Sequence, residues 1–169
     1  MLPVTRAAVL VALAAALSGC FVEAEAQEVC QRSPALAIDA MGDGRPEPLS
    51  VRQHVDFAVP VTLSDKLTLD VALKRLVLRE TSGAGSMDFV SGADVEVAPP
   101  ENRQAPIVSA SLAPLDDGSF GYEGELDVTP LLSGETFNYT VSAEGTTPAG
   151  PRTVEAEACV SARVWLSLP

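Results

Sequence analysis

The side chains of this sequence that could do chemistry are three cysteines, one histidine and a surplus of carboxylates, 23 Asp and Glu among 169 residues. His54 is the only imidazole. A metal centre built on imidazole needs further ligands, and a Ser–His–Asp relay would have to pass through this residue. No Gly-x-Ser-x-Gly elbow supplies a nucleophile. His54, just ahead of the alternating run Val55–Leu63, reads as a solvated loop histidine. Asp39-Ala-Met-Gly-Asp43-Gly44 and Asp116-Asp117-Gly118 place carboxylates beside glycine. Both lack the alternating ligands and closing glutamate of a calcium loop, and Asp-Gly is common turn chemistry. Glu123, Glu125 and Asp127 share one strand face, as do Glu155 and Glu157. Paired carboxylates are the device of glycoside hydrolysis, but such rows are also the ordinary outward face of a sandwich. Gly83-Ala84-Gly85 lacks the following lysine of a phosphate loop. These residues predict no enzyme, no metal and no resident cofactor, with an unrecognised carboxylate site as the alternative.

The elements that carry these groups read as strands. From Val154 to Leu168 every even position is apolar, while the odd positions are Glu155, Glu157, Cys159, Ser161, Arg163, Trp165 and Ser167. Period two marks a half-buried strand and no helix produces it. Val55, Phe57, Val59, Val61 and Leu63 repeat the pattern, with Pro60 pointing to an edge or a bulge. Phe137, Tyr139, Val141 and Ala143 repeat it again, and Leu36–Asp39, Ala93–Val97, Val108–Leu112 and Tyr122–Val128 are shorter candidates. Gly83–Gly85, Pro99-Pro100, Asp116–Gly118 and Pro148–Pro151 are turn chemistry. The loop near Gly145–Pro151 is expected to close an antiparallel hairpin.

Residues 66–80 are ambiguous. Leu69, Ala72, Leu73, Leu76 and Val77 make a helical stripe; Leu67, Leu69, Val71 and Leu73, then Leu76 and Leu78, make a strand whose phase slips near Lys74-Arg75. A strand with a bulge, or a helical turn leading into a strand, is the favoured reading. Seven or eight short strands with regular turns predict an all-β fold, an antiparallel β-sandwich, the immunoglobulin-like type first and a small closed barrel second. A transmembrane barrel is disfavoured because the chain has one Trp and no aromatic girdle.

The N-terminus differs in kind. One basic residue, Arg6, precedes the unbroken apolar run Ala7–Leu17. Eleven helical residues rise only about 16 Å, against about 30 Å of bilayer core, so the segment is a secretory signal-peptide helix and not a permanent span. Its end, Leu17-Ser18-Gly19-Cys20, resembles the lipobox of bacterial lipoproteins. The resemblance covers residues 1–20. It implies that Leu17, Ser18 and Gly19 are read by the signal peptidase. It also implies that Cys20 takes a diacylglyceryl group through a thioether and that its freed amine can be acylated, palmitate being a typical chain. Two or more acyl chains give stable anchoring where one does not. Phe21, in place of an aspartate, favours the outer membrane over the inner.

With Cys20 lipidated, Cys30 and Cys159 remain as a pair in an oxidising compartment, where a disulfide is the natural outcome. Closing nearly the whole domain, it would contribute roughly 4–5 kcal/mol. Cys159 falls on the polar face of its strand, so the bridge is expected outside the core, stapling the leader across the last strand. Trp165, on the same face, either covers that bridge or marks a contact surface. The organisation predicted is a signal peptide at 1–19, a lipidated acidic tether at 20–29 and a β-sandwich domain at 30–169.

Charge limits the partners. The whole chain carries −12 at pH 7, and without Arg6 ten basic groups face 23 acidic ones. That excludes nucleic acid, which is held by clustered Lys and Arg, and leaves the membrane, through lipid on Cys20, and an envelope protein or surface partner. The function expected is a membrane-anchored envelope lipoprotein whose domain is a binding or structural module. The alternatives are an enzyme or enzyme-accessory subunit, and a carrier of an apolar ligand inside a small barrel.

Overall fold

Each alternating run forms a strand with one buried and one exposed face. The computed structural model describes residues 22–25, 28–40, 45, 47–59, 67–83, 85–100, 108–132 and 136–166. Its elements are β1 (Val22–Glu25), β2 (Val29–Arg32), β3 (Leu36–Ile38), β4 (Pro48–Ala58), β5 (Leu67–Glu80), β6 (Val90–Ala98), β7 (Val108–Pro114), β8 (Phe120–Asp127), a 3₁₀ turn (Thr129–Leu131), β9 (Thr136–Thr146) and β10 (Arg152–Leu166). The chain is all-β and every pairing is antiparallel. The described strands lie on one hydrogen-bonded path, β1-β10-β5-β8-β7-β6-β9-β4, with β2 and β3 also on β10. The path curls into a near-barrel. One layer is β1–β3, β10, β5 and β8, the other is β6, β9 and β4, and β7 links them through two residue pairs with β8, Ala113↔Gly121 and Pro114↔Phe120.

The core lies between the layers. β10 contributes small inward residues, Ala156, Ala158 and Ala162, while β4 and β9 contribute Phe57, Phe137 and Tyr139. Phe57 and Phe137 stack with centroids 5.0 Å apart and planes 12° apart. The 3₁₀ turn adds Val128 and Leu131 to this core. It is held by the Thr129 hydroxyl, which accepts from the Val71 amide at 2.8 Å and donates to the Val71 carbonyl at 3.3 Å.

Residues 67–80 are strand throughout. Leu73 pairs with Val160 and Arg75 with the adjacent Cys159, while on the other side Leu73 pairs with Leu126 and Arg75 with Glu123. Lys74 is therefore an extra residue towards β10, a β-bulge, whereas towards β8 the extra residue lies on β8, between Glu123 and Leu126. The inward set changes parity there, from Leu69, Val71 and Leu73 to Leu76 and Leu78.

Three expectations need correction. The loop after β9 closes no hairpin: β9 gives its edges to β4 and β6, and β10 gives its own to β5 and the N-terminal strands. His54 is not in a loop but inside β4, opposite Thr140; the alternation starts at Leu49, and the polar Gln53 at an inward position hides its first half in the sequence. The leader at 20–29 is not all tether, since Val22–Glu25 pair with Arg163–Leu166. The reason is the length of β10, whose far edge would otherwise present unpaired amides and carbonyls. Four residues, half of them acidic, show too little pattern to reveal this. Val61 and Leu63, Asp43-Gly44 and the whole segment 1–21 lie outside the described residues.

Candidate functional site

β1, β2 and β3 form a broken ribbon along β10, and its opposite edge faces β4 across a seam. The break falls at Ser33-Pro34. Proline has no amide hydrogen to donate, and Ser33 keeps the register with β10 by itself. Its amide donates to the Ala156 carbonyl at 2.8 Å, and its hydroxyl accepts from the Ala156 amide at 2.9 Å. Across the seam no backbone ladder is present among the described residues. Side chains bridge it: Gln53 Nε2 donates to the Pro34 carbonyl at 2.7 Å, and Gln31 Nε2 donates to the Asp56 carbonyl at 2.9 Å.

Beside these bridges the seam opens on an apolar cleft. Leu36 and Ile38 of the ribbon face Leu49 and Val51 of β4, with Met87 and Val141 among the residues of its floor, and Gln53 is its polar member. The enclosed space is about 20 Å³, room for about one water molecule. Sequence reasoning missed this site. Its signal was the odd-numbered series Leu49, Val51, Gln53, Val55, which continues the strand pattern backwards from Val55.

The predicted disulfide is present. Cys30 pairs with Cys159 in register, with Cα atoms 4.0 Å apart and 129 residues of separation. It lies on the outer face of the sheet, outside the core cluster, as its position in the alternation implied. Cys30 is exposed, whereas Cys159 is fully buried. Two polar groups flank Cys159 and its strand neighbours. Arg75 Nη2 lies 3.5 Å from Cys159 Sγ and 3.3 Å from Glu157 Oε1. Arg32 Nε donates to Glu157 Oε2 at 2.8 Å. That hydrogen bond from Arg32 holds the Glu157 carboxyl below its ordinary range, against the opposing effect of partial burial.

Two members of the β8 carboxylate row are engaged by neighbouring groups. Glu125 pairs with Lys74 at 2.8 Å, Glu123 stands opposite Arg75, and Asp127 accepts from the Thr129 amide at 2.9 Å. Asp117 accepts from the amide and hydroxyl of Ser119 inside a turn whose Gly118 has φ +80°. Asp39 is exposed. Exposed His54 has Nδ1 3.1 Å from Thr140 Oγ1 and Nε2 3.8 Å from Asp56 Oδ1. The structure brings none of the carboxylate rows to His54; they lie on β8 and β10, and His54 lies on β4 in the other layer. Glu28, Cys30 and Cys159 are close enough together to suggest ligands, but their two sulfurs are spent on each other.

Trp165 pairs through its backbone with Glu23 and Thr68. It stands six residues beyond Cys159 along β10, about 20 Å of strand; its side chain lies outside the described residues. Among the described side chains, Arg75 and Glu157 are found beside the bridge. Leu17, Ser18, Gly19 and Cys20 also lie outside the described residues, and no described helix is long and apolar enough to cross a membrane.

No protein-family model matches the chain, and no curated protein matches it in sequence. Among solved structures it is similar to a decameric BFDV capsid protein, with a TM-score of 0.48 at 8% identity over 86% of this chain and 99% of that one. It is similar also to a 60-mer BFDV capsid protein, with a TM-score of 0.44 at 11% identity over 89% and 96%. Likeness at that level is one of β-rich architecture and carries nothing about function or assembly.

Proposed function

We propose that this chain is a bacterial envelope lipoprotein, anchored through lipid on Cys20, whose β domain is a non-enzymatic binding module that meets its partner at the seam between the ribbon and β4. The anchor rests on the Leu17-Ser18-Gly19-Cys20 motif. The observation that carries the binding reading is the seam itself: two strand edges joined by glutamine side chains instead of a ladder, over an aliphatic cleft. Edges of this type accept partners through backbone hydrogen bonds, with adjacent apolar pockets taking alternate side chains.

The geometry suits such an anchor. Only Phe21 separates Cys20 from β1, so the lipid would join the domain almost directly. Val22 pairs with Leu166, and Leu36 pairs with Val154. Twelve strand steps of β10 then separate Leu36 from Val22 by about 40 Å, a distance that would leave the cleft clear of a bilayer held at Cys20. The carrier reading has less support: ligand pockets run from about 300 Å³ upward, and this cleft offers about 20 Å³.

Two measurements test the proposal. Cys20→Ala should release the protein from the membrane fraction and abolish incorporation of a labelled fatty acid; retention without Cys20 refutes the anchor. A photo-crosslinker placed at Leu49 should trap a discrete partner in cells, and the same probe at Ser111, exposed on β7 away from the seam, should not. Equal trapping from both positions rules out the seam.

A further inference from the structure

We propose that the Cys30–Cys159 bridge is a directional thiol–disulfide exchange site, attacked by an external thiolate at Cys30 and leaving from Cys159. The inference is independent of the anchor and of the partner. Direction comes from access and charge. Cys30 is exposed on the ribbon, while Cys159 is fully buried. An incoming thiolate therefore meets the Cys30 sulfur. The group that departs is Cys159, and its sulfur lies 3.5 Å from Arg75 Nη2. A cation at that distance favours the thiolate, and a disulfide cleaves faster when the leaving sulfur is the better-stabilised anion. Glu28 opposes the attack, since its Oε1 lies 3.7 Å from the Cys30 sulfur and repels an anionic nucleophile.

The step balances without a metal or cofactor. The thiolate of a reducing dithiol forms a bond to Cys30 Sγ as the Cys30–Cys159 bond breaks, and the electron pair stays on Cys159 as a thiolate beside Arg75. The second thiol of the reductant, deprotonated, then attacks its partner sulfur in the mixed disulfide and releases Cys30 as a thiolate. The reductant is oxidised by two electrons and the bridge is reduced by two. The structural consequence falls on the seam. The bridge fastens β2 to β10, and the same ribbon carries Leu36 and Ile38, one wall of the cleft. Exchange at Cys30 unfastens that wall.

The test uses the oxidised full chain and reduced glutathione as the probe, with alkylation of free thiols and mapping of the adduct by mass spectrometry. The expected product carries glutathione on Cys30 and an alkylated Cys159. Arg75→Gln should slow adduct formation by about fivefold, with Arg75→Lys restoring most of the rate. Glu28→Gln should speed it by about twofold at low salt, the gain vanishing at high salt. Amide exchange in residues 29–38 should rise once the adduct has formed. Adduct on Cys159, an even distribution, or reduction only at the rate of global unfolding overturns the proposal. Should Arg75→Gln fail to fold, the site of the adduct and the sign of the Glu28→Gln effect still decide it.

Discussion

Gly145 sits where two backbones nearly touch. A Cβ added there would lie 1.9 Å from the Phe89 carbonyl oxygen, and that oxygen already accepts the Thr146 amide at 2.8 Å. Backbone cannot yield as a flexible side chain can, so Gly145→Ala should lower stability by about 1–3 kcal/mol; an unchanged urea midpoint would contradict this contact. Tyr139 presents the opposite case. It is fully buried, and its hydroxyl has no hydrogen-bond partner among the described residues. Tyr139→Phe should therefore leave stability unchanged or raise it by about 1 kcal/mol. Burial pushes the phenol from 10.0 up to about 12. A raised pKa means stability present in full below pH 10.0 and lost as pH rises through about 12, so the Phe variant should resist alkali better than wild type. Glu80 behaves in reverse. The Ser82 hydroxyl, with the amides of Gly85 and Ser82, takes its carboxyl from 4.5 to about 2. Its contribution is complete above pH 4.5 and disappears as pH falls through about 2. Amide exchange at Ser82 and Gly85 should accelerate across that window in wild type, and Glu80→Gln should abolish the dependence.

At the scale of the element, the bulge at Lys74 explains a sequence that looked half helical. An extra residue lets Leu69, Val71 and Leu73 face inward before it and Leu76 and Leu78 after it. Because side chains alternate with period two, deleting Lys74 leaves an unbroken alternation with the same inward set. The deletion variant should fold, lose the Glu125 ion pair and cost no more than about 2 kcal/mol. Circular dichroism and thermal melting would check this, and an insoluble product would mean that the bulge is itself required by the curl of the sheet.

At the scale of the molecule, the bridge between Cys30 and Cys159 spans 129 residues. Constraint of an unfolded loop of that length corresponds to about 5 kcal/mol in the chain-entropy account. Replacing both cysteines by serine should lower unfolding stability by an amount of that order, and reduction of wild type should lower it comparably. The rest of the fold has a single continuous core. The loss should therefore appear as one cooperative transition shifted to lower denaturant, not as a separate melting of the ribbon.

The sequence by itself determined the all-β class, the inward residues of β9 and β10, the bulge near Lys74 and the placement of Cys159 outside the core. These depend on local alternation, and alternation is a property of neighbouring residues. The disulfide followed by counting once Cys20 had been set aside. Only the tertiary structure decided which strands pair, because backbone hydrogen bonds are the same for every residue type and leave no trace in the order of side chains. That is why β9 and β10, adjacent in sequence, fall in different layers, and why Val22–Glu25 joins a sheet it gave no sign of joining. The seam was hidden for the same reason: Gln31, Gln53 and Pro34 are unremarkable apart, and acquire a role only where two edges approach too loosely for a ladder and closely enough for an amide side chain to reach across.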